Sequence, residues 1–195
     1  MEGRSGRERA GIIVLFENTC EGSMIIFETE HLQFRPLTAS DLDDLAALYA
    51  DPEVMRFLGG PRSKDEVQRV LSGYVREYQI YEDSVFAIIQ KSDQRFIGYC
   101  ALLKQEVEGE PEVELVYALA TQYWQRGLAL EGILALKNYG QQQLGFSRIV
   151  SLMPPKNVAS LHIAQKIGMR YERDVDQWGQ HFRLYAVKQP KHAEV

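Results

Sequence analysis

The sequence predicts a single mixed α/β domain of the α+β kind, and three observations carry that prediction. Segments with the strand period of two alternate with segments of helical period, with no internal repeat and no low-complexity linker between them. At 195 residues, one domain buries roughly 70% of its unfolded surface, so one sizeable core fits and two would be thin. The make-up, 45% apolar and 25% charged residues, is that of an ordinary soluble chain.

The elements follow in order. Met24-Ile25-Ile26-Phe27 reads as a first strand, while residues 1–23 show no clear period and are expected to be a polar extension, disordered or not native. The domain is expected over 24–188, with a tail over 189–195. His31 to Leu37 alternates as a strand and ends in a turn at Pro36. Ser40 is placed to cap a helix whose apolar stripe is Leu42, Leu45, Ala46 and Tyr49. After the break Gly59-Gly60-Pro61, Ser63 and Glu66 have capping-box spacing ahead of Val67, Val70, Leu71, Tyr74 and Tyr78.

Val85 to Gln90 and Arg95 to Leu103 read as a hairpin around the polar turn 91–94, and Glu106 to Pro111 as a charged turn before a third strand, Val113 to Leu119. A long helical pattern runs from about Gly127 to Leu144, followed by the strand Ser147 to Leu152. Asn157 to Ile167 reads as a helix capped by Asn157, with Gly168 where a left-handed residue ends it. Tyr171 to Val175 and Phe182 to Val187 close the chain as a hairpin around Gly179.

Composition excludes several functions. Twenty-two Lys and Arg against 27 Asp and Glu give a net charge of −5, which argues against direct nucleic-acid binding through many phosphate contacts. The two cysteines, Cys20 and Cys100, cannot build a disulfide framework or a four-thiolate zinc site, so a reducing, cytoplasmic setting is expected. His31, His162, His181 and His192 lack metal-ligand spacing, and no metal is expected. Apolar runs such as Ile12 to Phe16 fall far short of the ~20 residues that span a membrane. Arg4, Arg7 and Arg9 ahead of that run outline a signal peptide, but Glu17 interrupts it and no small-residue cleavage site follows.

The chemistry is to be sought where the third strand meets the long helix, at Leu119-Ala120-Thr121-Gln122-Tyr123-Trp124-Gln125-Arg126-Gly127-Leu128-Ala129. A strand, a turn and a helix start with Gly127 and the small Ala129 present free N–H groups at the positive end of a helix dipole, which suits a phosphate or pyrophosphate. Gly127 lets the backbone approach such a ligand, and Arg126 adds a cation at the mouth. A single glycine ahead of a helix is common, so a plain tight turn into a core helix stands beside that reading.

Trp124 to Ala129, with Glu131 behind, resembles the pyrophosphate loop of the GNAT superfamily of N-acetyltransferases, Gln/Arg-x-x-Gly-x-Gly/Ala. Trp124 in place of the usual first residue points to the ribosomal-protein N-acetyltransferase (RimJ/RimL) branch. The rest of the motif set resembles that branch in order and spacing. It comprises Leu32-Gln33-Phe34-Arg35-Pro36-Leu37 with Asp41, Asp51-Pro52-Glu53-Val54-Met55-Arg56-Phe57-Leu58-Gly59, Ile97-Gly98-Tyr99, Glu114-Leu115-Val116-Tyr117-Ala118-Leu119, Asn157-Val158-Ala159-Ser160 and Lys166-Ile167-Gly168-Met169. The likeness spans about Met24 to Lys188.

The resemblance implies a twisted, mostly antiparallel sheet whose fourth and fifth strands, here Val113 to Leu119 and Ser147 to Leu152, splay to admit the pantetheine arm of acetyl-CoA. It implies that main-chain groups of Tyr117 and Leu119 pair with the pantetheine amides, that the N–H groups of Gln125, Arg126, Gly127, Leu128, Ala129 and Leu130 hold the pyrophosphate, and that Asn157, touching the pantetheine, and Lys166 bind the cofactor. The reaction implied is direct attack of a primary amine, a protein N-terminal amine or a small-molecule amine, on the thioester.

An ammonium ion has no lone pair, so a base must take its proton; Glu114 and Glu112 are the candidates, and Glu114 matches the branch's Glu-x-x-Tyr. Solvated charges on a strand edge is the competing reading of both, since alternation puts them on one face. A main-chain N–H near Leu119 is the simplest donor to the oxyanion. The departing thiolate needs a donor as well. Many relatives use a Tyr of the last helix, a position that here is Ala164; Ser160 is the substitute, with a local capping bond as its alternative.

Ala164 also supports a different class of function, a CoA-binding regulatory or interaction module with little catalysis. A homodimer is compatible with such a domain, and nothing in the sequence specifies its interface.

Overall fold

The computed structural model describes residues 17–18, 24–81 and 85–189. Strands β1 (Glu17–Asn18) and β2 (Met24–Ile25) pair with each other as a small ribbon. The remaining strands form one sheet: β3 (Phe27–Glu28), β4 (Leu32–Pro36), β5 (Val85–Gln90), β6 (Arg95–Val107), β7 (Glu110–Leu119), β8 (Arg148–Met153), β9 (Arg170–Gln177) and β10 (Gln180–Lys188). Their order is β3-β4-β5-β6-β7-β8-β10-β9, antiparallel throughout except for β7 beside β8. The helices are α1 (Leu42–Ala50), α2 (Pro52–Met55), α3 (Lys64–Tyr81), α4 (Leu128–Gln142) and α5 (Val158–Lys166).

Strand alternation gives the sheet two apolar faces, each with its own cover. Leu115, Leu119, Ile149 and Met153 pack with Ile133 and Leu136 of α4 and Ala164 of α5 on one face. Ala87, Ile89, Tyr99, Ala101 and Ala118 pack with Leu45, Leu48, Val67 and Leu71 of α1 and α3 on the other. On that second face, beyond β7, Val107 joins Val150, Leu152, Val175, Phe182 and Leu184.

The mixed, mostly antiparallel sheet agrees with the sequence reading, as do the Ser63–Glu66 capping box and Asn157 as the cap of α5. Gly168 ends that helix at φ +88°. Ser40 does not cap α1. A 3-10 turn, Ala39–Asp41, precedes the helix, and Asp41 stands at its N-cap.

Asp41 is buried because it serves Arg35, whose guanidinium donates to both carboxylate oxygens at 2.6 and 2.8 Å, with the Thr38 N–H adding a bond at 2.7 Å. Burial alone would raise the Asp41 pKa, but the bonds from Arg35 and Thr38 outweigh it and hold it low. The turn expected over 106–111 is tighter than its charges imply: β6 runs to Val107, β7 begins at Glu110, and only Glu108 and Gly109 lie between. Of residues 1–23, all but Glu17–Asn18 lie outside the described residues, as do Cys20, the tail 190–195 and His192. No helix among the described residues is long and apolar enough to cross a membrane.

Candidate active site

The centre of the sheet is interrupted. β6 and β7 stay in register from Gly98 to Val107, but β7 and β8 share one registered pair, Glu114 with Val150. Beyond it, toward the strand ends, side chains replace the ladder: the Leu152 N–H donates to Glu114 Oε1 at 3.2 Å, and Ser151 Oγ donates to the Leu115 carbonyl at 3.1 Å. The two strands expected to splay therefore part here, and Glu114 sits at the apex.

Glu114 is 7% exposed, so the reading of it as a solvated edge charge does not hold. Its second oxygen accepts from Gln105 Nε2. Burial pushes its pKa up to about 7, against the lowering effect of the bonds from Leu152 and Gln105. Glu112 shares its face by alternation but is committed elsewhere: Arg148 of β8 donates to it at 3.0–3.1 Å and to Glu172 at 2.8 Å.

The antiparallel register with β6 also determines where β7 directs its main chain. Ala120 N–H donates to Ile97 at 2.9 Å, so Ala118 and Ala120 turn toward β6, while Leu115, Tyr117 and Leu119 turn toward β8. Gly98 makes this close pairing possible, since a Cβ there would lie 2.1 Å from the Ala118 carbonyl oxygen. The Leu119 carbonyl is already engaged, by Trp124 Nε1 at 2.7 Å.

At the start of α4 the chain passes through left-handed conformations at Gln125 (φ +58°) and Gly127 (φ +81°). The first helical bond runs from Glu131 N–H to the Gly127 carbonyl at 3.0 Å. The N–H groups of Gln125 to Leu130 are thus left without a main-chain acceptor among the described residues. A Cβ at Gly127 would meet no atom within 4 Å, so the space before this turn is open. Arg126 is exposed and lies over the Tyr123 ring at 5.5 Å.

Glu131 faces the other way. Its carboxylate accepts from Thr29 Oγ1 at 2.5 Å and from the His31 N–H at 2.9 Å, which ties the β3–β4 turn to the helix start.

Across the opening, Asn157 Oδ1 accepts the Ser160 N–H at 3.2 Å, and the Tyr117 hydroxyl donates to Ser160 Oγ at 3.1 Å. Glu114, Tyr117, Leu119, Ser160, Asn157 and the loop 125–130 are thereby assembled around one gap. Lys166 is apart from them, exposed in the last turn of α5, about 9 Å along the axis from Ser160. Ala164 is buried in the core. Sequence reasoning missed the Tyr117 side chain and Gln105; the one signal for Tyr117 was its three-residue offset from Glu114, which puts the two side chains on opposite faces of β7.

A profile of the acetyltransferase (GNAT) domain matches residues 31–170. The chain belongs to the GNAT acetyltransferase family. This acetyltransferase is 28% identical over 161 residues to the uncharacterized protein YkkB of Bacillus subtilis (strain 168), across 82% of this chain and 94% of that one. The spermidine N-acetyltransferase from Vibrio cholerae, solved in complex with CoA and spermine, matches the acetyltransferase at a TM-score of 0.69 and 17% identity, covering 84% of this chain and 98% of that one. The ribosomal-protein-S5-alanine acetyltransferase from Vibrio fischeri matches at 0.67 and 16%, over 85% and 97%. At these identities the likeness to the solved structures is one of fold.

Proposed function

We propose that the protein transfers the acetyl group of acetyl-CoA to a primary amine, either a protein N-terminal α-amine or a small-molecule amine, by direct attack on the thioester. The observation that carries this reading is the gap between β7 and β8, with a buried carboxylate at its apex and a turn of free N–H groups at its mouth. The gap suits an extended amide-bearing arm, because the N–H and C=O of Tyr117 face it. The open turn at Gly127 suits a pyrophosphate held by Gln125, Arg126, Gly127, Leu128, Ala129 and Leu130.

Glu114 is the base. Its two bonds leave lone pairs free, and a pKa of about 7 suits proton transfer near neutrality. The amine approaches from the α1–α3 face, that of Glu114, and the sulfur departs on the α5 face, that of Ser160. Two protons leave the ammonium group in all: the first passes to Glu114 before attack, and the second passes to solvent after the C–N bond forms. The electron pair of the C–S bond leaves on sulfur, where Ser160 Oγ–H donates to it. The Leu119 N–H, facing the same gap, is the donor to the oxyanion. A buried free thiol at Cys100 is in keeping with a cytoplasmic setting.

A second reading, a CoA-binding module with little catalysis, is favoured by Ala164, which puts a buried methyl group where many relatives of the family carry a hydroxyl. Incubation with acetyl-CoA and a panel of amines and N-terminal peptides, read as free thiol, decides between them. Acceptor-dependent thiol release supports transfer; CoA binding without release across the panel supports the module.

A further inference from the structure

Tyr117 carries a hydroxyl across the gap on its α5 side. Its backbone belongs to β7, its ring packs on the α5 face, and its hydroxyl reaches the first turn of the helix that follows β8. Ser160 receives two restraints there: its N–H is held by Asn157 at 3.2 Å, and its Oγ accepts the Tyr117 hydroxyl at 3.1 Å.

A serine hydroxyl has one donor and two acceptor sites. With Tyr117 donating into one lone pair, the Ser160 proton is directed away from the phenol, and the bonded oxygen becomes the more strongly polarised donor. We infer that the Tyr117 side chain is a positioning residue for the leaving group, holding the Ser160 hydroxyl so that its proton points to the departing sulfur. This rests on the acetyl-transfer reading above.

The step requires hydrogen bonds alone. The C–S electron pair goes to sulfur, the Ser160 proton is shared with it, and the Tyr117 proton stays on the phenol, because burial raises that group above its ordinary value. The sulfur takes its proton from solvent as the thiol leaves. No tyrosinate forms, so the pair acts as a donor across the working pH range.

The test is a double-variant cycle on the full chain, read as thiol release from acetyl-CoA with the best acceptor of the panel. Tyr117→Phe keeps the ring and deletes the donor; it is expected to lower kcat about 10-fold while KM for acetyl-CoA and the affinity for CoA stay within about 2-fold. Ser160→Ala is expected to lower kcat at least as much, and the double variant no further than Ser160→Ala alone.

An unchanged kcat in Tyr117→Phe overturns the inference and leaves acetyl transfer standing. So does a loss that multiplies with that of Ser160→Ala, or one that appears in CoA affinity alone. Absence of thiol release by the unaltered protein overturns the transfer reading, and this inference with it.

Discussion

The Glu114 carboxylate accepts the main-chain N–H of Leu152 at 3.2 Å, across the point where β7 and β8 cease to pair. One side chain therefore does two things that are usually separate. It satisfies a main-chain donor that the broken ladder leaves open, and it places a carboxylate of raised pKa at the head of the gap.

Because an amide oxygen can accept the same N–H, Glu114→Gln separates the two. The variant is expected to bind CoA as the parent does and to lose roughly 10²- to 10⁴-fold in kcat. In the parent, with Glu114 as the proposed base, kcat/KM is expected to rise with pH as Glu114 deprotonates and to level off above about 7. That break is expected to vanish in the variant's pH–rate profile; a surviving break would assign it to another group.

Folding stability gives a check independent of activity. The folded pKa of Glu114 lies above its ordinary value of 4.5, so the folded state holds the proton more tightly than the unfolded chain. The associated stability is fully present below about 4.5 and is lost as pH rises through about 7. Glu114→Gln, which carries no charge, is accordingly expected to be more stable than the parent at pH 8 by on the order of 3 kcal/mol, an advantage that shrinks toward pH 5. Urea unfolding at the two pH values measures it.

Arg35 and Asp41 are expected to behave as a unit. Arg35→Ala strands a carboxylate that is only 5% exposed, at a cost of about 3–5 kcal/mol in unfolding free energy read by urea denaturation, and Asp41→Ala strands the guanidinium. The double variant is expected to lose less than the sum of the single losses.

Gly98→Ala brings a methyl group to 2.1 Å from the Ala118 carbonyl oxygen and 2.9 Å from Leu119 Cα, which are backbone atoms that cannot swing aside. A loss of about 2–4 kcal/mol is expected. Since Ala118 and Leu119 form the edge of the gap, KM for acetyl-CoA is expected to rise in the same variant.

Much of the fold was legible because its signals are local. Ser63 with Glu66, Asn157 at the head of α5, the polar turn at 91–94 and Gly127 ahead of α4 each act within a few residues of themselves. The cap of α1 was misread because the residue that commits Asp41 is Arg35, on the strand before it. The state of Glu114 was illegible for a related reason. Alternation tells which face a side chain takes, but what covers that face comes from Leu152, Gln105 and the Val107 cluster, brought in from other strands. The Tyr117–Ser160 bond, between residues 43 apart in the chain, is likewise a product of tertiary structure.

The single pair between β7 and β8 also bears on what the ligand is to this molecule. Five strands lie to one side of the seam and three to the other, stitched at Glu114 and Val150. An extended molecule lying in that seam and bonded to Tyr117 stands in for a missing strand. On the proposed function the co-substrate is then a component of the architecture as well as a reactant, and the sheet is expected to gain its missing strand only while the pantetheine arm is bound.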